Sequence, residues 1–220
     1  MFAGDLTTLK GRAGAWVDSL FVDHAVFRTV WDNWAVVVPG RLYRSNHPTP
    51  ARLAVAKRRY HLKTLINLRG PRKCGSDALS RETAARLGLI HVDMAFESRG
   101  APHRDRILRF AKICETLVEP ALIHCKSGAD RAGLASGLFI LFNGGTAAQA
   151  MAQLHWRFGH FSRSRTGILD AFFALYARQA EGRLAFIDWV RDEYDEPGLL
   201  ASFRAHGLSS FITDQILRRE

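Results

Sequence analysis

The segment ALIHCKSGADRAG, residues 121–133, holds the residue types and spacing most able to do chemistry. Ala121 to His124 reads as a buried strand that ends at Cys125. Arg131 follows after five intervening residues, where an apolar helix opens and runs to Phe142. A loop between a strand end and a helix start turns backbone N–H groups inward, and the helix dipole adds positive potential there. Such a field favours the thiolate, the form of cysteine that attacks phosphorus. A guanidinium at Arg131 offers a planar fork to two phosphate oxygens. Gly128 and Gly133 let the backbone turn tightly and approach a ligand or a neighbouring element. A lone cysteine is ordinarily a small buried hydrophobe. Here the strand, the glycines and the arginine must all be explained together, and a phosphate-binding loop of Lys126, Ser127, Gly128, Ala129, Asp130 and Arg131 explains them.

The elements that must hold this loop alternate. Trp34–Val38 and Arg41–Ser45 flank Pro39-Gly40 and read as a hairpin or sheet edge. A helix capped by Thr49 runs to about Tyr60, and Thr64–Leu68 is a buried strand stopped by Gly70-Pro71. Asp77–Leu87 reads as a helix, Leu89–Asp93 as a strand, and Pro102 to about Leu117 as a helix. Thr146 caps a further helix expected to run to about Phe158. The last third is helical, over Thr166–Gln179, Arg183–Tyr194 and a weaker piece after Pro197. This order predicts an α/β fold with a central, mostly parallel sheet of four to five strands flanked by helices. At the N-terminus, Trp16, Leu20, Phe21, His24, Phe27 and Trp31 recur at helical spacing and predict one amphipathic helix over residues 12–34. That helix is expected to pack on the main domain; its flanking aromatics and arginines also suit an anionic membrane surface. We expect one domain over 1–220, with a core at about 35–158 and helical extensions at 1–34 and 159–220.

At His124, Cys125, Gly128, Arg131 and Gly133 the chain resembles the protein tyrosine phosphatase superfamily, whose signature is H-C-x-x-G-x-x-R-[ST]-G. Upstream, Leu42–Ser45 and Thr64–Arg69 resemble the opening of small atypical dual-specificity phosphatases. The resemblance implies a phosphomonoester hydrolase without metal or cofactor. Cys125 would form a cysteinyl-phosphate, Arg131 and the loop amides would hold the phosphoryl oxygens, and a carboxylic acid would protonate the leaving oxygen before water hydrolyses the intermediate.

Two positions depart from the pattern. Ala132 stands where the family has a hydroxyl that helps the sulfur leave, which implies slow breakdown of the phosphoenzyme or, as an alternative, a pseudophosphatase that binds a phosphorylated partner. The acid is ambiguous. Asp93 lies at the family's usual distance before the cysteine but reads as strand; Glu97 lies on the loop after it. Asp130 sits inside the loop, where myotubularin-like lipid phosphatases carry their acid. A carboxylate beside bound phosphate holds its proton more tightly, which suits that task. Lys126 resembles the loop lysine of tensin-homologue phosphatases, which act on inositol lipids.

The chain carries 31 Lys and Arg against 21 Asp and Glu, a net charge of +10. Expected partners are therefore a phosphorylated protein or an inositol phosphate or phospholipid, with peripheral contact to an anionic membrane, for which Arg157, Arg163 and Arg165 form a second basic stretch. Nucleic acid rests on charge alone, without a binding motif, and is not expected. A rhodanese-like sulfurtransferase also has a Cys-led loop, but the Arg-x-Gly opening of a long apolar helix fits it less well. Cys74, Cys114 and Cys125 form neither a disulfide framework nor a zinc site. With no apolar run of signal-peptide or membrane-spanning length, the expected location is cytoplasmic.

Overall fold

The computed structural model describes residues 5–22, 32–97 and 99–204. Thr8 caps the first helix, α1 (Leu9–Val17), by accepting from the Gly11 N–H at 3.0 Å. A π-helical turn, Asp18–Val22, follows. The expected single helix over 12–34 is therefore corrected: the α-helix ends at Val17, and residues 32–34 lead straight into a strand. His24, Phe27 and Trp31 lie outside the described residues. Trp34 belongs to no helix; it stacks on Tyr60 and Tyr43 at centroid distances of 4.9 and 5.7 Å.

Strands β1 (Ala35–Val38) and β2 (Leu42–Ser45) form the expected antiparallel hairpin. Helix α2 (Pro50–Tyr60) starts at the Thr49 cap, with proline where a helix has no use for an N–H. It stops at His61, which takes the left-handed conformation at φ 52°. Then follow β3 (Thr64–Asn67), α3 (Gly75–Arg86), β4 (Ile90–Asp93), α4 (Arg104–Glu115), β5 (Ala121–His124), α5 (Asp130–Phe142), α6 (Ala147–Met151), α7 (Ile168–Gln179) and α8 (Phe186–Asp192). The Thr146 capping box is present, but the helix it opens is shorter than expected. It ends at Met151; beyond that end the Arg44 guanidinium donates to the Gln153 carbonyl at 2.6 Å, and a short 3-10 turn, Trp156–Phe158, stands where the last part was expected.

The five strands lie in the order β1-β2-β5-β3-β4, and every pairing after the hairpin is parallel. Strand alternation sends side chains to two faces. Leu42, Ile66, Ala121 and Ile123 join the larger core with α4, α5, α7 and α8. Tyr43, Leu65 and Leu122 join the smaller core with Leu53, Ala56 and Ala84. Both faces of β3 and β5 are buried, which is why those strands read as continuous apolar runs. The C-terminal helices contribute an aromatic cluster, Phe172, Tyr176, Phe186, Trp189 and Tyr194, to that same larger core. At the other end, α1 packs on α3: Asp18 accepts from the Gly75 N–H at 2.6 Å and Ser19 meets Ser76 at 2.7 Å. Register aligns Ser45, His124, Asn67 and Asp93 at the carboxyl ends of β2, β5, β3 and β4. In open α/β sheets that edge is where ligands bind.

Candidate active site

Cys125 follows the last residue of the central strand β5 and is 1% exposed. The chain then turns through Gly128, at φ +78°, and enters α5 at Asp130. Four consecutive carbonyls of this turn face outward, and each is caught from behind. The His47 N–H donates to the Lys126 carbonyl at 3.3 Å. Asn33 Nδ2 donates to the Ser127 carbonyl at 2.8 Å. Arg44 Nη2 donates to the carbonyls of Gly128 and Ala129 at 2.7 and 3.0 Å. A trans peptide sets each N–H opposite its carbonyl, so the amides of residues 127–130 turn inward, that of Ala129 donating to Ser127 Oγ at 3.4 Å. The Gly128 N–H donates to Cys125 Sγ at 3.1 Å. The result is an anion nest built around a thiol at a helix N-terminus.

Glycine is required at 128 for two reasons. Its φ is positive, and a Cβ there would come within 2.7–2.9 Å of the Asn46 nitrogen, the Ser45 carbonyl carbon and Asn33 Nδ2. The loop is thus pressed directly on the chain that leaves β2. Gly133 plays the packing role expected of it: a Cβ would meet Leu154 Cδ2 at 2.7 Å and the Gln153 carbonyl at 2.9 Å.

The cations are arranged in two layers. Arg44, fully buried beneath the loop, stacks on the Phe158 ring at 4.0 Å. Burial pushes its guanidinium down to about 10, opposed by the Cys125 and Asp130 charges, so it stays protonated at neutral pH. Arg131 is half-buried at the start of α5. Burial lowers its pKa, and the charges of Arg69 and Arg72 act in the same direction, whereas Cys125 opposes them. Arg69 also reaches His47 Nδ1 at 3.4 Å. His124 is fully buried edge-on to His47; burial, then the neighbouring charges of His47, His91 and Arg69, keep it neutral.

The three candidate carboxylates have different surroundings. Asp93 ends β4, two strands away from β5, and is held by Arg81 at 2.8 Å and by Asn67 at 3.0 Å. Glu97 pairs with Arg106 at 2.6 Å, which ties it to the first turn of α4. Asp130 lies in the loop, and its Oδ1 accepts from His160 Nδ1 at 2.7 Å. His160 Nε2 meets Asp170 Oδ2, also at 2.7 Å. Burial alone would discharge this imidazole, but the two carboxylates outweigh it and raise its pKa to about 9. Its folded pKa therefore exceeds the unfolded value near 6.5, so the stabilisation is complete below about pH 6.5 and is lost as pH rises through about 9. We expect the melting temperature to fall over that window, by the equivalent of about 2–3 kcal/mol. The His160→Gln chain should show a flatter profile in thermal melts from pH 6 to 9.5.

A family model described as the tyrosine phosphatase family matches residues 28–153. The chain belongs to this family. A search of curated protein sequences finds no match. Solved structures share the fold. TpbA from P. aeruginosa is 22% identical, with 73% of this chain and 89% of that one covered and a TM-score of 0.50. The core catalytic domain of the S. cerevisiae PP-IP phosphatase SIW14 is 20% identical, with 70% and 90% covered and a TM-score of 0.55. Among the described residues no helix of the phosphatase is long and apolar enough to cross a membrane.

Sequence reasoning found the loop itself but missed what holds it: Asn33, Arg44, His47, His160 and Asp170. Arg44 was within the stretch resembling the phosphatases, and its position in an otherwise short apolar strand was the available signal.

Proposed function

We propose that this phosphatase hydrolyses phosphomonoesters through a cysteinyl-phosphate, acting on a phosphorylated protein (at Tyr or Ser/Thr) or on an inositol phosphate or phospholipid. The observation that carries the reading is the set of outward carbonyls at residues 126–129, which leaves inward amides around Cys125 Sγ. Cys125 attacks phosphorus, and the loop amides with Arg131 hold the equatorial oxygens as charge builds there. Asp130 is our choice of general acid. It stands within the loop beside Arg131, with its ion pair to His160 made through Oδ1, whereas Arg81 holds both oxygens of Asp93 on β4 and Arg106 ties Glu97 to α4. We assign those two to holding the sheet edge.

The charges of Arg69 and Arg72 act on Arg131, and this supports substrates carrying more than one phosphate. SIW14, which shares the fold, is a PP-IP phosphatase, and that adds weight to inositol phosphates. Ala132, fully buried, supports a second reading in which breakdown of the phosphoenzyme is slow and binding outlasts turnover.

The test is phosphate release from an aryl phosphate between pH 5 and 8, set beside a phosphotyrosine peptide, inositol hexakisphosphate and phosphoinositide vesicles. We expect release from the aryl ester and a higher kcat/KM for the polyanionic substrates. No release above the buffer rate from any of them would leave phosphate binding without hydrolysis as the better reading.

A further inference from the structure

Residues 154–204 lie beyond the segment that the family model matches, yet they supply a side chain that reaches the catalytic loop. That side chain is His160, which is 2% exposed. The left-handed turn at Gly159, φ 79°, precedes it, and the Phe158 carbonyl just before is fixed by Asn33 Nδ2 at 2.9 Å. Both ring nitrogens meet carboxylates: Nδ1 with Asp130 Oδ1 and Nε2 with Asp170 Oδ2, each at 2.7 Å. A histidine donating from both nitrogens is an imidazolium, and its raised pKa agrees. Asp170 stands in the first turn of α7, whose Ile168, Leu169, Phe172 and Phe173 are buried in the main core. The brace is therefore anchored in the fold. Arg44 on β2 and Arg131 on α5 also feel the charge of Asp130.

One oxygen of Asp130 is thus pinned, and rotation about its carboxyl bond is restricted. We propose that His160, braced by Asp170, is a positioning residue that fixes Asp130 so that Oδ2 faces the leaving-group oxygen. The C-terminal extension thereby takes part in the chemistry of the loop. This rests on the reading of Asp130 as general acid. In the first step the S–P bond forms and the P–O(ester) bond breaks, while a proton that Asp130 Oδ2 takes up beside the bound phosphate dianion passes to the departing oxygen. In the second, water attacks phosphorus and gives its proton to Oδ2, the S–P bond breaks, and the sulfur leaves as thiolate. Throughout, His160 keeps its two protons and holds Oδ1.

The test compares phenyl phosphate, whose leaving oxygen needs a proton, with 2,4-dinitrophenyl phosphate, whose phenolate leaves without one. The readout is the ratio of kcat/KM on the dinitrophenyl ester to kcat/KM on the phenyl ester, which reports the step that forms the phosphoenzyme and not its breakdown. A residue acting through the acid raises this ratio; a loop distorted at large lowers both rates together. We expect Asp130→Asn to raise it by about a hundredfold, His160→Gln by about tenfold and Asp170→Asn by about threefold. Should His160→Gln fold poorly, Asp170→Asn reads the same ratio. A raised ratio for Asp130→Asn with an unmoved ratio for both brace variants would overturn the positioning role alone. An unmoved ratio for Asp130→Asn would overturn the acid assignment, and this inference with it.

Discussion

Cys125→Ser is expected to lower phosphate release from an aryl ester about ten-thousandfold while the fold persists. The exchange is nearly isosteric at a site that is 1% exposed, and the Gly128 N–H that donates to sulfur at 3.1 Å can donate to a hydroxyl instead. On the proposed mechanism, what is lost is the nucleophile. A serine hydroxyl is a far weaker one than a thiolate without a base at its side. Arg131 and the inward amides remain, so inorganic phosphate should still raise the melting temperature of the variant. Losses of this size are usual when the group that forms the covalent intermediate is removed and the binding site is left. Retention of a tenth of the wild-type kcat, in a preparation shown by mass to carry serine, would exclude Cys125 as the nucleophile.

Arg44→Met should be the most damaging substitution outside the reacting groups. Its guanidinium donates to three carbonyls, of Gly128, Ala129 and Gln153, and packs over Phe158. A thioether fills much of the volume but donates to none of them. Leaving buried acceptors without donors costs about 1–3 kcal/mol for each. We expect a total destabilisation of about 3–5 kcal/mol in urea melts, part of it relieved by water reaching Gln153. Activity should fall further than stability does, since the carbonyls that orient the inward amides lose their anchor. A fall in kcat/KM of about a hundredfold or more is expected even where the chain stays folded. Arg44→Lys keeps the charge but not the fork, and it should recover only part of either loss. A melting curve unchanged by Arg44→Met would show that the loop is held by other means.

These two residues mark the boundary of what the sequence makes legible. Cys125 could be read because its partners lie within eight residues of it: a strand, a glycine, an arginine and a helix in direct succession. The sheet could be read for a similar reason, since β3 and β5 are buried on both faces and show as apolar runs between helical segments. Arg44 could not, because its bonds span 84, 85 and 109 positions and no periodicity records such a separation. The same holds for His160 and Asp130, 30 positions apart. The hairpin reading was right in pairing but silent on where β2 sits. Parallel pairing with β5 takes it into the sheet interior, and only that neighbour makes its arginine a loop anchor. The aromatic periodicity at the N-terminus does not record the end of the α-helix at Val17 or the non-helical lead into β1 at residues 32–34. Trp34 instead serves a stack with Tyr43 and Tyr60. Of the candidate acids, Asp93 has the expected sequence distance, and its place at a strand end beside Arg81 and Asn67 is a surrounding that spacing along the chain does not record.

The most direct measurement is a rapid-quench reaction with 4-nitrophenyl phosphate, followed by mass spectrometry of the peptide carrying Cys125. The account predicts a burst of nitrophenolate approaching about one equivalent per chain, because Ala132 supplies no hydroxyl to hasten the second step. It also predicts a phosphate adduct on Cys125 that appears with the burst and is missing from Cys125→Ser. Steady turnover with no burst and no adduct on Cys125 would contradict it.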